Sequence, residues 1–143
     1  MRITLFGQGP LAISVLERLI EEGFEIGLIN DSEGTGGDLF KQADKLGIPA
    51  GSLHPRRDSD RLLSYIREYG GTDGILLSVN YRFIIEKNVL SEFLWPLNIH
   101  GSLLPRYRGR TPHVWAIING EDFSGATLHL MDDGVDTGPI VPV

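Results

Sequence analysis

Residues 3–30, ITLFGQGPLAISVLERLIEEGFEIGLIN, hold the pattern from which the architecture follows. Ile3-Thr4-Leu5-Phe6 is short, apolar and β-prone, and it stops at the turn Gly7-Gln8-Gly9-Pro10. Pro10 suits a first helical turn, Ala12, Val15, Leu16, Leu19 and Ile20 recur on one helical face, and Gly23 stands where that helix closes. Phe24 to Asn30 is again strand-like. A strand, a helix and a second strand in this order predict a parallel pair joined by a right-handed crossover.

The same alternation continues outward. A glycine-rich loop from Asn30 leads to Asp38, which is expected to cap a helix reaching Leu46 with Phe40, Ala43 and Leu46 inward. Ile48-Pro49-Ala50 reads as a short third strand. Asp58 or Ser59 starts a helix whose stripe is Leu62, Leu63, Ile66 and Tyr69, ended by Gly70-Gly71. Gly74 to Val79 is the most apolar run and reads as a central strand buried on both faces. A short helix falls between Tyr81 and Phe93, a strand at Leu97 to His100, a helix over Pro112–Asn119, and strands at Ala126–Met131 and Ile140–Val143. The whole is an α/β chain with an open, mostly parallel sheet, whose ligands bind beyond the carboxyl ends of the strands.

Composition narrows the classes. The 143 residues and 41% hydrophobic content fit one globular domain. A net charge of -6 and a pI near 5.1 argue against sequence-independent binding to nucleic acid, which draws its affinity from neutralised phosphates. The absence of cysteine removes disulfides, thiolate nucleophiles and cysteine metal sites. No apolar run has the length of a membrane span or a secretory signal, so no membrane partner is expected and the cytoplasm is the default compartment.

Gly7-Gln8-Gly9-Pro10-Leu11-Ala12 matches G-x-G-x-x-A, and Asn30-Asp31 follow about 20 residues later, as in a dinucleotide-binding turn. Pro10 removes a backbone donor near the helix start. A tight turn that binds no NAD is the preferred reading.

The chemistry gathers between Asn98 and Pro139. Asn98 and His100 lie at alternate positions, so on a strand they leave the same face. Asp136 sits in a loop with Asp132, Asp133, Gly134, Thr137 and Gly138, able to push a carboxylate toward a neighbour. Together the amide, imidazole and carboxylate supply an oxyanion donor, a general acid/base and a group that tunes the imidazole. No nucleophile stands out, although Ser102 is near, and direct transfer between two bound substrates is the expected chemistry. Arg106, Arg108 and Arg110 alternate in an extended loop and offer an anion site. His54, His113 and His129 lack metal-ligand spacing and are expected to be structural, with His129 alone able to border the cleft; Trp95, Trp115 and Tyr107 read as packing or pocket wall.

These residues resemble a known family. Asn98-Ile99-His100-Gly101-Ser102-Leu103-Leu104-Pro105, the Tyr107-Arg108-Gly109 loop and Asp132-Asp133-Gly134-Val135-Asp136-Thr137-Gly138 are similar to the pattern of the 10-formyltetrahydrofolate-dependent formyltransferases. The resemblance implies a Rossmann-like sheet with helices on both faces and catalytic roles for Asn98, His100 and Asp136. It implies 10-formyltetrahydrofolate as co-substrate and no metal, with a folate pocket at Ser78, Tyr81, Arg82, Phe83, Ile84, Asp132, Gly134 and Val135. Gly109 to Trp115 resembles the sugar-amine formyltransferases. A nucleotide-linked amino sugar is thus the expected small-molecule acceptor, with Ser102, Arg106, Arg108 and Arg110 as its contacts. An amino acid, a peptide or methionyl-tRNA stands as the alternative, beside a non-catalytic nucleotide-binding domain; no nucleic-acid partner is expected. Domains of this family continue past the equivalent of Val143, so residues 1–143 are expected to be a catalytic domain short of its last elements. Apolar surface left exposed there would be covered by a second copy or further domains.

Overall fold

The computed structural model describes residues 1–142. Six strands form one sheet: β1 (Arg2–Gly7), β2 (Glu25–Asp31), β3 (Ala50–Gly51), β4 (Ile75–Val79), β5 (Trp95–His100) and β6 (Thr127–Leu130). The spatial order is β3-β2-β1-β4-β5-β6, parallel throughout except for β6, which runs antiparallel to β5. The helices are α1 (Gly9–Glu21), α2 (Asp38–Leu46), α3 (Ser59–Tyr65, prolonged by a π-helical turn Ile66–Gly70), α4 (Lys87–Leu90) and α5 (Pro112–Ile118).

Alternation along the central strands feeds two cores. Leu5, Ile29 and Leu77 face Ala12 and Leu16 of α1 and Leu39 and Ala43 of α2, while Phe6, Leu28 and Leu76 face Leu62, Ile66 and Val89 on the other side. Both faces of the middle strands are covered, which is why they read as continuous apolar runs. The chain runs β1 to β3 on one side and crosses to β4 and β5 on the other. The switch point lies between the carboxyl ends of β1 and β4, and a crevice opens there.

Several boundaries differ from the sequence reading. Leu39 and Ala43, not Phe40, Ala43 and Leu46, are the buried residues of α2, and Leu46 is 45% exposed. The reason is the entry to the helix: Gly37 is its N-cap, and the Asp31 carboxylate, arriving from β2, accepts the Phe40 N–H at 2.9 Å where Asp38 was expected to cap. Ile20 is exposed at the far end of α1 and Phe24 lies outside β2. The third strand is only Ala50–Gly51, an edge pair beside β2. Of the expected final strand, Ile140 makes an isolated antiparallel bridge to His129, and Val143 lies outside the described residues. On α5 only Ala116 is buried, and Val114, Trp115, Ile117 and Ile118 are exposed.

Candidate active site

Strand pairing assembles the site. Register sets Asn98 beside Ser78 of β4 and His129 of β6. Residues directly opposite on paired strands share a face, so the Asn98 and His129 side chains meet, with Asn98 Nδ2 3.1 Å from His129 Nε2. Two residues on, His100 ends β5, buried, and its Nε2 donates to the Tyr107 carbonyl at 2.7 Å. The loop after β6 then brings Asp136 in, held in a left-handed conformation (φ 54°) that aspartate tolerates better than most residues.

The Asp136 carboxylate is the hub. Oδ2 accepts the Gly109 N–H at 2.7 Å and lies 3.4 Å from His100 Nδ1; Oδ1 lies 3.4 Å from His129 Nε2 and 3.5 Å from Asn98 Nδ2. Burial works to raise the Asp136 pKa, but the His129 hydrogen bond, the Gly109 N–H and the nearby imidazoles outweigh it and hold the group below the ordinary carboxylate value. His129 moves the opposite way. Its bond with Asp136 raises it above the ordinary imidazole value against the effect of burial, helped by the Leu130 carbonyl that accepts from Nδ1.

These groups line one wall of a cavity of about 890 Å³. Every residue expected at the co-substrate, from Ser78 through Val135, borders it. Tyr81 and Phe83, both on the cavity lining, are stacked edge to face, and Phe83 packs on His54, giving the cavity an aromatic stretch of wall. The Tyr81 hydroxyl accepts from Asn30 Nδ2 at 2.9 Å beneath the cavity, and burial pushes the phenol up. Asp132 staples its own loop by accepting from Thr137 Oγ1 and Gly134 N, and the Thr137 bond chiefly lowers its pKa. Among the described residues, no cluster of three or more His, Asp or Glu side chains is placed to hold a metal ion.

The expected acceptor contacts separate. Arg110 borders the cavity; Arg106, Arg108 and Ser102 do not. Arg106 is paired with Glu121, and Ser102 is buried with its hydroxyl donating to the Arg106 carbonyl at 2.6 Å. Both hold the loop rather than reach into the cleft. Tyr107 is more than wall. Its hydroxyl donates to Glu121 Oε1 at 2.5 Å and accepts from Asn119 at 3.0 Å, while its carbonyl anchors His100. Trp95 and Trp115 are about half exposed and border no part of the cavity, contrary to the packing expected of them. His113 lies on the rim and His54 binds the Arg56 and Arg57 N–H groups. The sequence marks His129 only as a possible neighbour of the cleft, since nothing in the linear chain states the β5–β6 register.

The glycine turn is also decided here. Asp31, at the position where a dinucleotide fold presents a carboxylate to ribose, is 1% exposed and spends both oxygens on the N–H groups of Glu33 and Phe40. A Cβ on Gly37 would collide with that carboxylate. The group is committed to starting α2.

Comparisons with known proteins point to one family. The family model described as formyl transferase matches residues 1–143. A methionyl-tRNA formyltransferase of Agathobacter rectalis is 31% identical over 150 residues, covering 99% of this chain and 48% of that protein. One from Ruminiclostridium cellulolyticum is 35% identical over 152 residues, covering 99% and 47%. The chain thus spans about half the length of the curated relatives it matches. A glycinamide ribonucleotide transformylase from Symbiobacterium toebii shares the fold with a TM-score of 0.84 at 24% identity, over 99% of this chain and 71% of that one.

Proposed function

Because the chain belongs to the formyl transferase family, we propose that it moves a formyl group from 10-formyltetrahydrofolate to a primary amine, with Asn98, His100 and Asp136 as catalytic residues. The observation that carries this is the meeting of those three side chains on the wall of one cavity whose lining also includes Tyr81, Phe83, Ile84 and Ile85. The volume of about 890 Å³ fits a drug-sized ligand with room for an acceptor. The Tyr81–Phe83 wall suits a flat ring, and the Asp132–Val135 loop offers backbone groups beside it.

The amine nitrogen attacks the formyl carbon, a C–N bond forms, and the bond from that carbon to the folate nitrogen breaks. The attacking amine loses one proton and the departing nitrogen gains one. Charge collects on the formyl oxygen beside Asn98 and His100 on the cavity wall, where the Asn98 amide is the donor that stabilises it. Asp136, held ionised by its N–H partner and the imidazoles, orients His100 and draws the proton from the amine through water.

For the acceptor, the relatives favour the α-amine of methionyl-tRNA over a nucleotide-linked amino sugar. The acidic balance does not oppose this, since recognition of a tRNA can rest on other parts of a longer protein. The amino-sugar reading keeps one support: Arg110 and His113 stand on the cavity rim, where a sugar nucleotide would carry its phosphate. The test offers 10-formyltetrahydrofolate with methionyl-tRNA, and separately with a nucleotide-linked amino sugar, and follows both the formylated product and the release of tetrahydrofolate. Transfer to either amine supports the reaction and chooses the acceptor. No transfer to any amine, together with no saturable binding of reduced folate, overturns the reading.

A further inference from the structure

This inference deepens the preceding reading and rests on it. An amide nitrogen carries two hydrogens and no lone pair. Asn98 Nδ2 lies 3.1 Å from His129 Nε2 and 3.5 Å from Asp136 Oδ1, so both hydrogens are directed into the protein. What remains for the cavity is the amide oxygen, and an oxygen cannot stabilise a developing oxyanion.

The state of His129 explains the arrangement. Its Nδ1 donates to the Leu130 carbonyl at 2.8 Å, which puts the proton of the neutral ring on Nδ1 and leaves Nε2 a bare acceptor for the Asn98 amide. When the ring takes a second proton, Nε2 becomes a donor. Asp136 Oδ1 is its acceptor at 3.4 Å, and the Asn98 amide then meets it donor against donor. Half a turn of the amide gives up its 3.5 Å contact with Asp136, places Oδ1 on the new N–H, which it then shares with Asp136 Oδ1, and points the two hydrogens into the cavity. The swap needs no backbone movement, because the two ends of an amide are nearly the same size.

We propose that His129 is a positioning residue whose protonation turns the Asn98 side chain, so that its N–H rather than its oxygen faces the reacting carbonyl. Asp136 and Asp132 face His129 from the loop after β6, Asn98 faces it from β5, and Leu130 from β6 itself. His100 does not touch it but shares the Asp136 carboxylate through the other oxygen. Asp136 favours the protonated ring, and with it the active orientation.

The test reads the amide directly and needs no turnover. In the 15N-labelled protein the Asn98 side-chain NH₂ pair, assigned by its loss in Asn98→Ala, is followed across pH beside the ring signals of His129 and His100. The expected result is an Asn98 titration with the midpoint of His129, which persists in His100→Gln and moves to lower pH together with the His129 midpoint in Asp136→Asn. In His129→Gln the Asn98 pair should cease to titrate. An Asn98 amide that is invariant with pH, or that follows the His100 midpoint, overturns the proposal, and the unsubstituted protein alone supplies that comparison if His129→Gln does not fold. Failure of formyl transfer would refute the preceding reading while leaving this one to be decided by the amide titration.

Discussion

Replacing Asp136 by asparagine separates catalysis from folding. Asparagine keeps the shape, tolerates the left-handed backbone at φ 54° and retains one oxygen for the Gly109 N–H, now 2.7 Å away. What it loses is the charge between two imidazoles, each 3.4 Å distant. Its NH₂ group would also face His129 Nε2 or His100 Nδ1 as a donor where an anion stood. Exchanging a charge-assisted hydrogen bond for a neutral one costs about 1–1.5 kcal/mol of stability, a fall of about 3–6 °C in Tm for a domain of this size. The catalytic loss is larger. Removing a group that both orients the imidazole and moves the proton should lower kcat about 100-fold or more, or about 2.7 kcal/mol in the barrier. The assay is steady-state formyl transfer at saturating folate and amine, with circular dichroism melting of the same preparation. A variant that melts as predicted but keeps kcat within about threefold of the parent would refute the role of this carboxylate, since that is only about 0.65 kcal/mol.

Asp31→Ala strips both acceptors from the Glu33 and Phe40 N–H groups at a buried position and is expected to cost about 3 kcal/mol in urea unfolding, with reduced-folate binding unchanged because Asp31 does not border the cavity; a loss below about 1 kcal/mol would contradict the capping role. Tyr107→Phe keeps the carbonyl that anchors His100 but frees the side chain from Glu121 and Asn119, and should lower kcat about tenfold with KM nearly unchanged, an effect that steady-state kinetics will read directly. Stability should depend on pH at both ends. The folded pKa of Asp136 is depressed, so its contribution is present above its unfolded value and lost as pH falls through the folded one; that of His129 is raised, so its contribution is complete below about 6.5 and lost as pH rises through the folded value. Asp132, Glu92 and Glu121 share the acid limb, so the alkaline limb is diagnostic: the urea midpoint should fall as pH rises above about 6.5 in the parent and fall less in Asp136→Asn, which removes the largest cause of the raised His129 value.

Periodicity made most of the framework legible. The run of strand, turn and helix from Ile3 to Asn30 predicted a parallel pair, and β1, α1 and β2 form it. Gly74 to Val79 read as a strand buried on both faces, and β4 lies between β1 and β5. The errors fall where a distant group intervenes. The buried face of α2 starts one residue earlier than read, at Leu39, and the helix receives its cap from Asp31 across the loop, a bond no local propensity contains. Arg106 looked free for an anion because alternation in a loop says nothing about Glu121, fifteen residues on, which neutralises it.

By itself the sequence determined the α/β class, the parallel sheet, and the candidacy of Asn98, His100 and Asp136. Each of these rests on local facts: the side-chain periods of helix and strand, and residue types whose chemistry is the same wherever they stand. Tertiary structure alone decided that β6 turns antiparallel and lays His129 against Asn98, that Asp136 reaches both imidazoles at once, and that Asp31 is consumed by a helix. Those outcomes depend on strand register and loop path, which are set by the packing of the whole sheet. A shift of one residue in β6 would turn His129 to the opposite face and leave the Asn98 amide with a different partner.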